Sequence, residues 1–200
     1  MTEELHQDKR NTEDEISSRN RTKARLHKRY PSSSILTYNG STIAHYLLGG
    51  AGIIIGYSSL TGYLLGSLYL LFSFSEMYVL MPLKVCPNCP YYILKDSLCI
   101  SGLNVVARKL ARKGEVKDFP KRAKGLLCPN NLYIASLVIP ILAIIPALVL
   151  NFSYLVLAIL LIVVGLLLFR FFVIFPKIAC LHCIAKYKCP QAEAMGVRNR

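Results

Sequence analysis

Apolar and polar positions fall in long blocks along this chain rather than alternating at short period. Residues 1 to 38 are polar, beginning MTEELHQDKRNTEDE. Four apolar stretches follow: IAHYLLGGAGIIIGYSSL from Ile43, YLLGSLYLLFSFSEMYVLMP from Tyr63 to Pro82, LYIASLVIPILAIIPALVL from Leu132 to Leu150, and SYLVLAILLIVVGLLLFRFF from Ser153 to Phe172. At about 1.5 Å of rise per residue, a stretch of roughly 20 residues crosses a hydrocarbon core of about 30 Å. The pattern predicts an all-α integral membrane protein with four transmembrane helices arranged as two hairpins. Its segments are a polar, basic N-terminal region expected to be disordered (1–38), a first transmembrane hairpin (39–82), a basic cysteine-containing loop (83–130), a second hairpin (131–176) and a cysteine-containing tail (177–200).

Charge orients the prediction. The chain carries a net charge of +13 although 54% of its residues are hydrophobic, so the basic and apolar residues must be segregated. The tight turns around Ser58 to Gly62 and around Asn151 hold no Lys, Arg, Asp or Glu. Every Lys and Arg except Arg170 lies in the N-terminal region, the central loop or the tail. Basic residues stay on the cytosolic side, which places both termini and the cysteine segments there. With no apolar stretch of signal-peptide type in residues 1 to 38 and many cysteines on that side, the expected location is a prokaryotic cytoplasmic membrane. Arg19, Arg21, Lys23, Arg25, Lys28 and Arg29, with the run Arg108 to Lys124, are read as holding topology and contacting anionic lipid headgroups rather than nucleic acid. Within that run, SGLNVVARKLARK sets Leu103, Val106 and Leu110 at helical spacing among basic residues, the pattern of a helix lying on a membrane surface or docking a partner.

An offset recurs in the two halves. The second stretch ends Glu76-x5-Pro82-x3-Cys86-x2-Cys89 and the fourth ends Arg170-x5-Pro176-x3-Cys180-x2-Cys183, with a third cysteine, Cys99 or Cys189, after each. This suggests a parallel internal repeat, whose axis would bring the two CxxC turns together. All seven cysteines (Cys86, Cys89, Cys99, Cys128, Cys180, Cys183 and Cys189) fall outside the apolar stretches. Thiols on the cytosolic side are kept reduced, so metal ligation is the leading expectation, as an iron–sulfur cluster or zinc, the Cys-Pro pairs tilting the choice to iron–sulfur. Two sets of three cysteines plus Cys128 leave one site a ligand short; His182, inside the CLHC turn, can fill the gap chemically but sits where side chains usually point away.

Three ionisable residues lie inside the apolar stretches: His45, Glu76 and Arg170. Glu76 and Arg170 are expected to pair, with His45 beside them. Gly52-x3-Gly56 permits close helix approach, and Pro140 and Pro146 are expected to bend the third stretch. Nucleotide-binding, zinc-protease and hydrolase signatures are absent from the sequence. Three function classes remain: a membrane metalloprotein that transfers electrons or senses redox state with a cytosolic or membrane redox partner; a zinc-stabilised scaffold recruiting a cytosolic partner; and a transporter or metal-handling protein using the His45, Glu76 and Arg170 layer. Whether the chain is an enzyme stays open.

Overall fold

The computed structural model describes residues 25–120 and 128–198. Arg19, Arg21, Lys23 and Lys124 lie outside them. Among the described residues the regular structure is helical, with one isolated bridge between Arg29 and Leu98. The main helices are α1 (Ser32–Tyr57), α2 (Leu60–Ser75), α3 (Leu103–Leu110), α4 (Pro129–Leu150) and α5 (Tyr154–Phe169). Both α2 and α5 continue into ten-residue π-helical segments, Glu76–Val85 and Arg170–Ala179.

Three helices are long and apolar enough to cross a membrane: Leu60–Asn88, Pro129–Leu150 and Tyr154–Ala179. Even the shortest, at 22 residues, is about 33 Å long, against a hydrocarbon core of roughly 30 Å. Helix α1 is long enough but not apolar enough to join them. It begins at Ser32, directly after Pro31, and its first turns carry Ser, Thr, Asn and Tyr. Its apolar run from Ile43 to Tyr57 spans only about 22 Å. What α1 does instead is pack against α2, α4 and α5 together, burying Tyr46, Gly49, Gly50 and Ile53.

Small residues allow that central position. A methyl group added at Gly52 would meet Ile144 Cδ1 at 2.6 Å and Ile159 Cγ2 at 3.0 Å, and one at Gly56 would meet Ala147 Cβ at 2.8 Å. The Gly52-x3-Gly56 stripe is therefore the seam along which α1 meets α4, as small-xxx-small spacing implies.

Both interior prolines of the third stretch lie within one continuous helix, α4. Pro140 has no N–H, so the Ser136 carbonyl four residues back loses its helical donor. The Tyr69 hydroxyl donates to that carbonyl at 3.0 Å, closing the gap from α2. Replacing Tyr69 by Phe should therefore cost about 1–3 kcal/mol, the penalty of a buried polar group left unsatisfied. Reversible unfolding in detergent micelles measures it; stability equal to the unmodified protein would mean that the carbonyl is served from elsewhere.

The two π-helical segments match position for position. Each begins at the ionisable residue, Glu76 or Arg170, contains the proline, Pro82 or Pro176, and runs into the CxxC turn. The Cys86 N–H donates to Met81 O and the Cys180 N–H to Phe175 O, both five residues back. A proline ring crowds the carbonyl four residues back in a regular α turn, and in these two segments the wider π turn carries the chain past it.

Candidate cysteine-lined site

The site grows from the ends of these π-helical segments. In each CxxC the second cysteine's N–H donates back to the first cysteine's carbonyl, Cys89 to Cys86 at 3.0 Å and Cys183 to Cys180 at 3.3 Å. Each second cysteine then accepts from the N–H three residues on, Tyr92 in one turn and Lys186 in the other. Asn88, fully buried inside the first turn, ties it to the following loop, donating to Lys84 O and accepting from the Glu115 N–H.

The two turns face one another across a cavity of about 210 Å³. Six cysteines line it: Cys86, Cys89 and Cys99 from the central loop, and Cys180, Cys183 and Cys189 from the tail. Apolar side chains complete the wall, among them Met77, Met81, Phe119 and Phe175, and Tyr38 closes it on the bundle side. Among the described residues, however, no three His, Cys, Asp or Glu side chains lie close enough together to hold one metal ion. The thiols surround a volume; they do not converge on a point.

Burial pushes the Cys180 and Cys183 thiols up to about 12; neighbouring cysteines add to the rise, and at Cys183 the backbone N–H of Ala185 partly offsets it. Cys89 is pushed well above the usual thiol range, also chiefly by burial. Free thiols in this setting stay protonated at neutral pH. Reactive redox cysteines instead have lowered values in electropositive, accessible surroundings, so this is not the environment of a nucleophilic dithiol.

Cys128 does not line the cavity. Its buried sulfur accepts from the Asn131 N–H at 3.4 Å and caps the N-terminus of α4, so the expectation that it completes a four-thiolate set gives way to a structural role. His182 also stays off the cavity wall. Its ring stacks on His27, centroids 4.7 Å apart, and its Nδ1 lies 2.8 Å from Arg25 O.

A short extended strap, residues 25–31, joins the two cysteine segments. His27 N–H donates to His182 O, while Tyr30 N–H donates to Leu98 O and Leu98 N–H to Lys28 O. The buried Tyr30 hydroxyl donates to Ala179 O at 2.5 Å, and the Tyr91 hydroxyl donates to His27 O at 2.6 Å. Nothing in the sequence pattern distinguishes Tyr30 or Tyr91, since neither sits at a periodic position. Nor does helix α3 lie free on a surface: Leu103, Asn104 and Ala107 are buried, and the Arg108 guanidinium donates to the Tyr91, Leu94 and Ser97 carbonyls. Its outward side shows Val105, Val106 and Leu110 beside exposed Lys109.

His45, Glu76 and Arg170 are all buried in the bundle. The expected ion pair is not formed. Among the described residues both Glu76 carboxylate oxygens lack a hydrogen-bond partner, whereas the Arg170 guanidinium donates to Thr42 Oγ1 and, at 3.1 Å, to Tyr38 O. Aromatic faces surround it, with Arg170 Cζ 4.8 Å from the Tyr38 ring centroid, 5.7 Å from Tyr133 and 5.6 Å from Phe175. His45 Nε2 lies 2.9 Å from Leu137 O, and its Nδ1 is unpartnered. The Tyr38 and Thr42 contacts were hidden because Tyr38 falls in the polar N-terminal region and Thr42 just before the first apolar stretch. Lys186, between Cys183 and Cys189, is buried as well and donates to Leu181 O at 3.2 Å.

Comparison with protein-family models, curated proteins and solved structures finds no match. What the fold and site of the described residues define is a class: a helical protein with three helices long and apolar enough to cross a membrane and a thiol-lined cavity where two of them end.

Proposed function

We propose that this chain is a small membrane metalloprotein whose cysteine cavity holds an iron–sulfur cluster and transfers single electrons, or reports redox state, at the cytosolic surface. The observation that carries the proposal is the gathering of six cysteines, from segments about ninety residues apart, around one cavity. Four thiolates on one zinc ion would lie about 4 Å apart, because each zinc–sulfur bond is about 2.3 Å. In a four-iron cluster each of the four thiolates binds its own iron and stands further from its neighbours. Thiols that ring a cavity without converging suit the second arrangement better. Held by four of the cavity cysteines, such a cluster would supply one-electron chemistry between a reduced and an oxidised one-electron carrier.

We further propose that α1 makes a fourth crossing under cover of its neighbours, that the two hairpins are a parallel repeat, and that the cysteine side is cytosolic, with its basic residues against anionic headgroups. The matched π-helical segments support the repeat, and the concentration of Lys and Arg beside the cysteines supports the orientation. A membrane-impermeant thiol reagent applied to intact cells should then label none of the native cysteines; labelling from outside would reverse the topology.

The deciding experiment is anaerobic purification in detergent followed by assay of iron, acid-labile sulfide and visible absorption. Iron and sulfide in comparable amounts, with a brown colour that dithionite bleaches, are the expected result. A colourless protein with stoichiometric zinc would replace the cluster by a structural zinc site in a scaffold.

A further inference from the structure

We infer that Arg170 is the counter-charge of an anionic centre in the cysteine cavity and raises that centre's reduction potential. The inference rests on the proposed cluster. Its starting point is an imbalance: a fully buried guanidinium has only neutral partners, the Thr42 hydroxyl, the Tyr38 carbonyl and three aromatic faces. Buried charges are ordinarily paired with an opposite charge. Glu76, the acidic residue expected to do this, makes no bond to it.

The cavity shares aromatic walls with this guanidinium. Tyr38 and Phe175, which flank the guanidinium, also line the cysteine cavity, and the π-helical segment that begins at Arg170 ends where Cys180 begins. The cation and the thiols are therefore neighbours of the same two rings. A cluster held by cysteine thiolates is net negative and becomes more so when it gains an electron. A fixed positive charge held close by in a medium of low dielectric favours the reduced, more negative form. The arrangement accounts for an arginine in this place without a carboxylate beside it. Arg170 touches no reacting atom; it acts through the field, as a tuning residue.

Redox titration of the purified holoprotein, following the visible bands, tests this. Arg170→Gln should move the midpoint to more negative potential while iron and sulfide content stay close to the unmodified protein. Arg170→Lys, which keeps the charge, should stay near the unmodified value. Thr42→Asp places a carboxylate against the guanidinium and should lower the midpoint with Arg170 still present, so the question is answered even if Arg170→Gln fails to fold. A loaded cluster whose midpoint is the same in all three variants would overturn the inference. So would a Lys variant shifted as far as the Gln variant, or Glu76→Gln producing the larger shift. An unmodified protein without cluster would instead defeat the proposed function, a separate and visible outcome.

Discussion

Serine at position 183 should empty the site of iron, whereas serine at position 128 should leave it filled. Cys183 stands at the junction of the two cysteine sets, within electrostatic reach of Cys89 and Cys99 from one half and of Cys189 from the other. If the cavity holds the proposed cluster, removing this sulfur takes away the thiol placed between the two sets. The loss of bound iron should be at least as large as the roughly 10- to 100-fold that follows loss of a residue that only supports a ligand. Cys128 lies off the cavity and accepts one N–H at the start of α4, a task a serine hydroxyl performs well. Iron and sulfide measured in the two purified variants decide the matter. Equal loss in both would put Cys128 back among the ligands, and full loading of the Cys183→Ser variant would remove the cavity from consideration as a metal site.

The second large effect concerns stability. Arg170→Met should destabilise the protein by about 3–5 kcal/mol, because two charged hydrogen bonds worth about 1.5–3 kcal/mol each and a cation–π contact worth about 2 are lost, while the cost of keeping a charge out of water is relieved. Glu76→Gln should change stability by less than about 1 kcal/mol, since neither carboxylate oxygen has a partner to lose. In a double-mutant cycle the two changes should add to within about 0.5 kcal/mol. A coupling above about 1 kcal/mol, measured by unfolding in micelles, would restore the ion pair that the sequence led one to expect.

That failed pairing shows where sequence reasoning stops. Three of the four apolar stretches were legible as membrane-length helices, because hydropathy depends on local composition alone. The shared Pro-x3-Cys-x2-Cys offset was legible too, and the side-by-side turns follow from it. What could not be read was any relation needing the position of α1. Tyr38 lies in the polar N-terminal region and Thr42 just before the first apolar stretch, yet they supply the contacts of Arg170, since the helix starts at Ser32 and turns these two side chains inward while much of its first half stays exposed. The π-helical segments escaped as well: a proline near a helix end predicts a disturbance but not its kind. Cys128 is a third case, for a cysteine before Pro-Asn-Asn looks the same whether it binds metal or caps a helix.

The strap of residues 25–31 has a kinetic consequence for whatever the cavity encloses. It is bonded at once to Leu98 in one cysteine loop and to His182 in the other, while its Tyr30 also holds Ala179 at the foot of the second. Neither loop can swing outward without dragging the strap off its partner, so the three segments must open together. Independent fraying of each loop would let a guest leak out in small steps, each with a low barrier. A latch shared between both loops replaces those steps with one rare concerted opening, so a guest would exchange slowly even where its equilibrium affinity is ordinary.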